Sequence, residues 1–136
     1  MQRILLALIF LTTALACRAQ FGYETYQKVD GVEFSTKWGK AKDENGEKKT
    51  ALLLRVKNHN EQAASFDFDI NLYYEGILRE TGEIRNECLE GGKTSMGKLN
   101  GIYFIPQSFT ENQLKNGDFS FSLDEISVEK TDGCDG

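Results

Sequence analysis

Apolar and polar side chains alternate along two neighbouring stretches in the first half of the chain, residues 49–57 and 64–75. In the first stretch one face carries Leu52, Leu54 and Val56. In the second stretch every other side chain is large and apolar: Phe66, Phe68, Ile70, Leu72 and Tyr74. Alternation with a period of two is typical of β-strands that bury one face and expose the other. The pattern therefore predicts two long strands whose apolar faces belong to the core.

Further strand-like stretches flank this pair and are separated by polar or glycine-containing turns. They comprise residues 31–40, 77–87, 93–99, 102–105 and 118–130. The pair Asn45-Gly46 follows the stretch 31–40, and Asn-Gly is a strong hairpin signal because both residues tolerate positive φ. Seven strands spaced by about ten residues are typical of an antiparallel β-sandwich.

Two local irregularities are also predicted from the pattern. The alternation of the last strand changes phase after Leu123, which a β-bulge at Asp124-Glu125 would produce. One short helical turn is expected near residues 110–116, because Thr110 and Gln113 have the spacing of a capping box. The fold prediction is therefore all-β, with seven strands in two sheets and one short helical turn.

The beginning of the chain has the pattern of a signal peptide over residues 1–19. Arg3 precedes a short apolar run that is less than the roughly 20 residues needed to cross a bilayer. Cleavage after Ala19 would release a soluble protein, but the residues before Cys17 also resemble a bacterial lipobox, so lipidation of Cys17 stays open. Residues 20–30 would then be an N-terminal stem or an added edge strand, and residues 31–136 the sandwich domain.

Removal or lipidation of Cys17 leaves two cysteines, Cys88 and Cys134. In an oxidising, extracytoplasmic compartment such a pair is expected to form a disulfide. The chain has no C-x-x-C spacing, and two cysteines with the single His59 do not make the four ligands of a structural zinc site. We therefore expect a disulfide, no metal and no cofactor.

The net charge of −5 limits the classes of partner. Arg3 and Arg18 both lie in the predicted signal peptide, so the remaining chain is more acidic still. An acidic domain without a cluster of Lys or Arg is a poor ligand for nucleic acid or for anionic lipid. Contact with a membrane is expected only through the signal peptide or a lipid on Cys17.

The polar face of the stretch 64–75 is the predicted binding surface. Four of its residues lie on this stretch: Asp67, Asp69, Asn71 and Tyr73. The fifth, Tyr103, would join them from the strand 102–105. Carboxylates interleaved with tyrosines can bind a cationic peptide or a sugar, since tyrosine has an apolar ring with a polar tip. The other interpretation is an ordinary solvated strand face whose charges provide solubility and protect the edge.

No catalytic site is predicted. His59 lies in a polar turn, and no G-x-S-x-G motif is present. A catalytic triad requires a nucleophile beside an oriented base. We therefore expect a protein that is not an enzyme.

Three motifs lie in the middle of the chain: Leu52-x-Leu-x-Val56-x-Asn58, Phe66-x-Phe-x-Ile-x-Leu-Tyr73-x-x-Gly76 and Leu89-x-Gly-Gly-Lys-Thr94. Over residues 50–98 they resemble bacterial immunoglobulin-like modules of the CARDB or fibronectin-III-like type. The resemblance implies an immunoglobulin-like sandwich with strands 31–40, 49–57 and 93–99 in one sheet and strands 64–75, 102–105 and 118–130 in the other. It implies no functional residues.

The resulting functional hypothesis is a non-enzymatic extracytoplasmic module of a bacterial envelope that binds or assembles with a protein or glycan. The first alternative is a small hydrolase or an accessory domain of a secreted enzyme. The second is a lipid-anchored structural spacer.

Overall fold

A computed structural model describes residues 22–97 and 101–135 of the chain. The predicted signal peptide and Cys17 lie outside the described residues. The elements are, in chain order, β1 (Glu24–Val29), β2 (Val32–Lys42), β3 (Lys48–Asn58), β4 (Ala63–Tyr74), β5 (Ile77–Leu89), β6 (Thr94–Ser95), β7 (Ile102–Phe104), α1 (Glu111–Leu114) and β8 (Phe119–Thr131).

These strands form two antiparallel sheets. The first sheet has the order β1-β2-β3, and both β6 and β7 pair with β3 on its far side. The second sheet has the order β5-β4-β8. The predicted all-β sandwich with one short helical turn is thereby confirmed. Residues 24–29 pair with β2, so the segment expected as a stem or an edge strand contains an edge strand.

The strands β2 and β3 form a hairpin in continuous register from Val32 opposite Asn58 to Lys42 opposite Lys48. In its turn Oδ1 of Asp43 accepts hydrogen bonds from the backbone amides of Asn45 and Glu47 at 2.9 and 3.0 Å. A glycine at residue 46 then accommodates a φ of 78°. The hairpin predicted from the Asn-Gly pair is therefore present.

The core lies between β2 and β3 on one side and β4 and β8 on the other. Its buried side chains are Val32, Phe34, Leu52, Leu54, Val56, Ala64, Phe66, Phe68, Ile70, Leu72 and Leu123. The ring of Phe34 meets the rings of Phe66 and Phe68 edge-on, at centroid distances of 5.6 and 5.5 Å. The apolar faces predicted for β3 and β4 thus meet across the two sheets, although Tyr74 at the end of β4 is only half-buried.

One strand lies in a different sheet from the one expected. Residues 102–105 were predicted to join the strands 64–75 and 118–130, but β7 pairs with β3, with Leu54 opposite Ile102. Both edges of β4 are occupied along its length, one by β5 and the other by β8. No position beside β4 therefore remains for β7, which lies on the edge of β3 instead.

A disulfide joins Cys88 near the end of β5 to Cys134 after β8, with a Cα–Cα distance of 5.6 Å. The predicted pairing is therefore the one observed. The bond fixes the C-terminal tail to the edge strand β5.

Candidate functional site: the outer face of β4

The polar side chains of the central strand in the second sheet form the β4 outer face, which we define as Asp67, Asp69, Asn71 and Tyr73. All four are half-buried, and they alternate with the core residues of the same strand. Because β5 and β8 flank β4 along its length, the side chains of this face are bordered by those of two neighbouring strands. The structure therefore brings together four of the five predicted site residues.

Both neighbouring strands bulge at the position of Asp67. On β8, Asp67 lies opposite Ser127 while Asp69 lies opposite Asp124, so β8 has one extra residue there. Glu125 adopts a φ of 53° at this point, which confirms the bulge predicted from the change of phase. On β5 the register also shifts by one residue, and Asn86 has a φ of 57°.

These bulges determine which groups reach the carboxylates. The backbone amide of Asn86, within the β5 bulge, donates a hydrogen bond of 2.7 Å to Oδ1 of Asp67. The side chain of Arg85 donates to Oδ1 of Asp69 at 2.5 Å and to the carbonyl oxygen of Phe68 at 3.0 Å. The hydrogen bond to Asp69 raises the pKa of the Arg85 guanidinium above its usual value. Charge-assisted bonds of this kind hold both partners in a fixed geometry.

A second network crosses all three strands at Asn71. Its side-chain amide donates to Oδ2 of Asp124 at 2.6 Å and accepts from the hydroxyl of Thr81 at 2.7 Å. The hydroxyl of Ser122 donates to the same oxygen of Asp124 at 2.5 Å. Asp124 lies on this side of the sheet because it follows the buried Leu123 in regular alternation and is opposite Asp69.

Tyr103 does not belong to the β4 outer face. It lies on β7 in the other sheet, opposite Leu53, and it is 40% exposed. The prediction that it would join Asp67 and Asp69 is wrong for the same reason as the placement of its strand. Tyr103 instead borders a depression beside the β2–β3 turn.

His59 remains in an exposed loop, but its side chain is paired. Its Nε2 lies 2.8 Å from Oε1 of Glu33, whose other carboxylate oxygen accepts from the hydroxyl of Thr25 at 3.1 Å. The hydrogen bond with His59 is the main cause that lowers the pKa of Glu33 below its usual 4.5, against the opposing effect of burial. The sequence did not reveal this pair, because only the pairing of β2 with β3 brings the two residues together.

The hydrolase alternative would need a hydroxyl or thiol beside this histidine. In the described part of the chain, the hydrogen-bonding partner of the His59 ring is the carboxylate of Glu33, and no serine, threonine or cysteine side chain bonds to the ring. Residues 22–97 and 101–135 also contain no group of three or more His, Cys, Asp or Glu arranged to hold a metal ion. Within the same ranges, no helix has the length and apolar character required to cross a membrane.

Comparison with known proteins gives no relative from which a role could be transferred. The chain matches no protein-family model, no curated protein and no solved structure. The functional argument therefore depends on the geometry of the residues.

Proposed function

We propose that this protein is a non-enzymatic binding or assembly module of a bacterial cell envelope and that it engages a partner protein through the β4 outer face. The observation that supports the proposal most is the fixed set of acidic groups on this face and beside it on β8, where Asp124 lies opposite Asp69. Asp67, Asp69 and Asp124 are held by hydrogen bonds from a backbone amide, a guanidinium and neutral side chains, respectively.

A fixed surface loses little conformational entropy when a partner binds. Immobilising a flexible side chain on binding costs about 0.5–1.5 kcal/mol in conformational entropy, and a side chain that is already ordered avoids this cost. The carboxylates of Asp67, Asp69 and Asp124 are accompanied by the cationic side chain of Arg85 from β5. This imbalance favours a partner whose contact surface is positively charged, and it predicts association that slows as salt is added.

The compartment is part of the same proposal. A disulfide between Cys88 and Cys134 is favoured where thiols are not kept reduced, which is the case outside the cytoplasm. The sequence pattern of residues 1–19 supports export to the same compartment.

Site-specific photo-crosslinking tests the proposal. A photoreactive phenylalanine analogue replaces Tyr73 on the β4 outer face or, as the control, Tyr26 on β1 of the other sheet, which is 39% exposed. We expect the Tyr73 variant to form an adduct with one envelope protein that the Tyr26 variant does not form. Identical adducts from both positions, or none from Tyr73, would contradict the proposed surface.

A second experiment measures affinity once the partner is identified. Asp69→Ala combined with Tyr73→Ala should weaken binding by about tenfold or more, because truncating contact residues at the centre of an interface has the largest effect. The melting temperature should change little, since neither side chain lies in the core. Unchanged affinity would exclude this face as the binding surface.

A further inference from the structure

A second surface lies on the other sheet, where the β2–β3 turn approaches the segment that follows β7. An open depression of about 620 Å³ is bordered there by Lys42, Glu44, Asn45, Tyr103 and Gln107. It continues into a hollow of about 310 Å³, which shares Asp43, Ile105 and Gln107 with it and reaches α1. We call the two together the turn furrow. Volumes of this size are common in sites for small ligands.

The backbone of the turn furrow is fixed, whereas several polar side chains on its rim have no partner. The turn is held by Asp43, which accepts two backbone hydrogen bonds. The side chains of Lys42, Glu44 and Asn45 form no hydrogen bond or ion pair with any described residue. The ammonium group can donate hydrogen bonds, the carboxylate can accept them, and the amide can donate and accept them. A ligand with many hydroxyl groups could satisfy all three.

The aromatic ring on the rim is held by the strand that carries it. Tyr103 is 40% exposed, and its hydroxyl bonds to no described residue. The next residue, Phe104, extends to the opposite side and packs against β5 at Gly82. Because Phe104 anchors β7 in the core, the ring of Tyr103 is presented on a fixed strand. An exposed ring of this kind offers an apolar platform with a polar tip.

Three features of the turn furrow distinguish between classes of ligand. The carboxylates of Asp43, Glu44 and Glu111 outnumber the ammonium groups of Lys42 and Lys49, so the charge disfavours phosphate, uronates and other anions. The edge of β7 gives little support to an added peptide strand, because β7 has three residues and Pro106, two residues further on, has no N–H. The ring of Tyr103 beside amide and carboxylate groups suits a sugar.

We propose that the turn furrow binds a neutral, hydroxyl-rich saccharide, with Tyr103 stacking on a sugar ring and Asn45 and Glu44 bonding to hydroxyl groups. This site lies on the sheet opposite to the one that carries the β4 outer face. Saccharide binding therefore does not depend on the proposed protein partner. The experiments at Tyr73 test binding of that protein partner separately.

The test is a titration of the mature, disulfide-bonded protein with a panel of neutral oligosaccharides built from glucose, mannose, galactose or N-acetylglucosamine, followed by two-dimensional ¹H–¹⁵N NMR. We expect at least one of them to shift the amide signals of residues 42–45 and 103–107 in a saturable way. Inorganic phosphate and oligogalacturonate, which are anionic, should cause no saturable shift in these residues. Saturable shifts with the anions alone, or with none of the panel, would overturn the proposal.

Substitutions then test the role of the ring. Tyr103→Ala should weaken binding by about tenfold or more. The control Tyr26→Ala removes a ring of nearly equal exposure, 39%, from β1 and should leave the affinity unchanged. Asn45→Ala, whose side chain has no partner to lose, should also weaken binding without affecting folding. Equal affinities for the two tyrosine variants together with an unaffected Asn45→Ala variant would overturn the proposal.

Discussion

A β-carbon placed on Gly82 would lie 2.5 Å from the ring of Phe104, because this side chain of β7 packs directly against β5 in the opposite sheet. The contact joins the two sheets at a point where Gly82 is buried. Gly82→Ala should therefore force the ring to move and should lower the free energy of unfolding by about 1–3 kcal/mol. Urea denaturation followed by circular dichroism measures this change.

A second glycine provides the matched control for that variant. A β-carbon on Gly117 would meet no atom within 4 Å, and the φ of this residue is not in the left-handed region. Gly117→Ala should change the stability by less than about 0.5 kcal/mol. If both variants lost the same stability, the effect at residue 82 would not come from Phe104.

Asn58 is a buried polar residue whose side chain connects two loops. Its amide donates to the carbonyl oxygens of Gln62 and Leu89 at 2.9 and 3.0 Å, and its Oδ1 accepts from the backbone amide of Asn60 at 3.0 Å. Asn58→Ala would remove the bonds to these partly buried groups, at about 1–3 kcal/mol for each group left without a partner. We expect a loss of about 3 kcal/mol or more in chemical denaturation. A loss below about 1 kcal/mol would show that water replaces the side chain.

Local patterns in the sequence were sufficient to predict the elements that depend on neighbouring residues. The alternation in β4 predicted which face is buried, because the period of a strand is set by its own backbone. In β3 it predicted the core face, but Ala51 and Leu53 on the opposite face are buried as well, in a second apolar cluster with Tyr23 and Ala41. The capping box predicted at α1 is also present: the backbone amide of Gln113 donates to the hydroxyl of Thr110 at 3.2 Å, and the reciprocal bond measures 2.9 Å.

Features that depend on distant pairing were missed or misplaced. β7 lies on the edge of β3 while β5 and β8 occupy both edges of β4, and no local pattern reports which strand takes which edge. Tyr103 was predicted on the wrong face because its strand was assigned to the wrong sheet. The pair formed by Glu33 and His59 and the side-chain bonds of Asn58 likewise arise only when separate segments meet. The β4 outer face was predictable because it requires the alternation of one strand.

The disulfide should contribute strongly to stability, because it closes a loop whose ends are 46 residues apart in sequence. In the chain-entropy model a loop of this size is worth about 4 kcal/mol. Replacing both Cys88 and Cys134 by serine should lower the free energy of unfolding by an amount of this order in guanidinium titrations.

Intact-mass analysis of the wild-type protein should show two hydrogens fewer than the reduced form. Free thiols at both positions would contradict the bond.

The carboxylate of Glu33 links three segments through its contacts with His59, Thr25 and Arg55. The hydrogen bond with His59 contributes most to lowering its pKa below 4.5, burial acts in the opposite direction, and the bond from Thr25 adds to the decrease. A carboxyl with a lower pKa in the folded state stabilises the fold above the pKa of the unfolded state. This stabilisation is lost as the pH falls through the pKa of the folded state, because the unfolded chain takes up the proton more readily.

Glu33→Gln should consequently reduce the dependence of stability on pH below about 4.5, where the wild-type protein loses stability more steeply. Urea denaturation at a series of pH values between about 3 and 6 measures the two slopes. The control is Glu44→Gln, since the side chain of Glu44 forms no hydrogen bond or ion pair with a described residue and its replacement should leave the slope as in the wild type. A carboxyl-detected NMR titration of His59→Ala should also show the pKa of Glu33 rising, because the hydrogen bond that is the largest cause of its decrease has been removed. Parallel slopes for the wild type and Glu33→Gln would mean that the contacts of this carboxylate do not stabilise the fold.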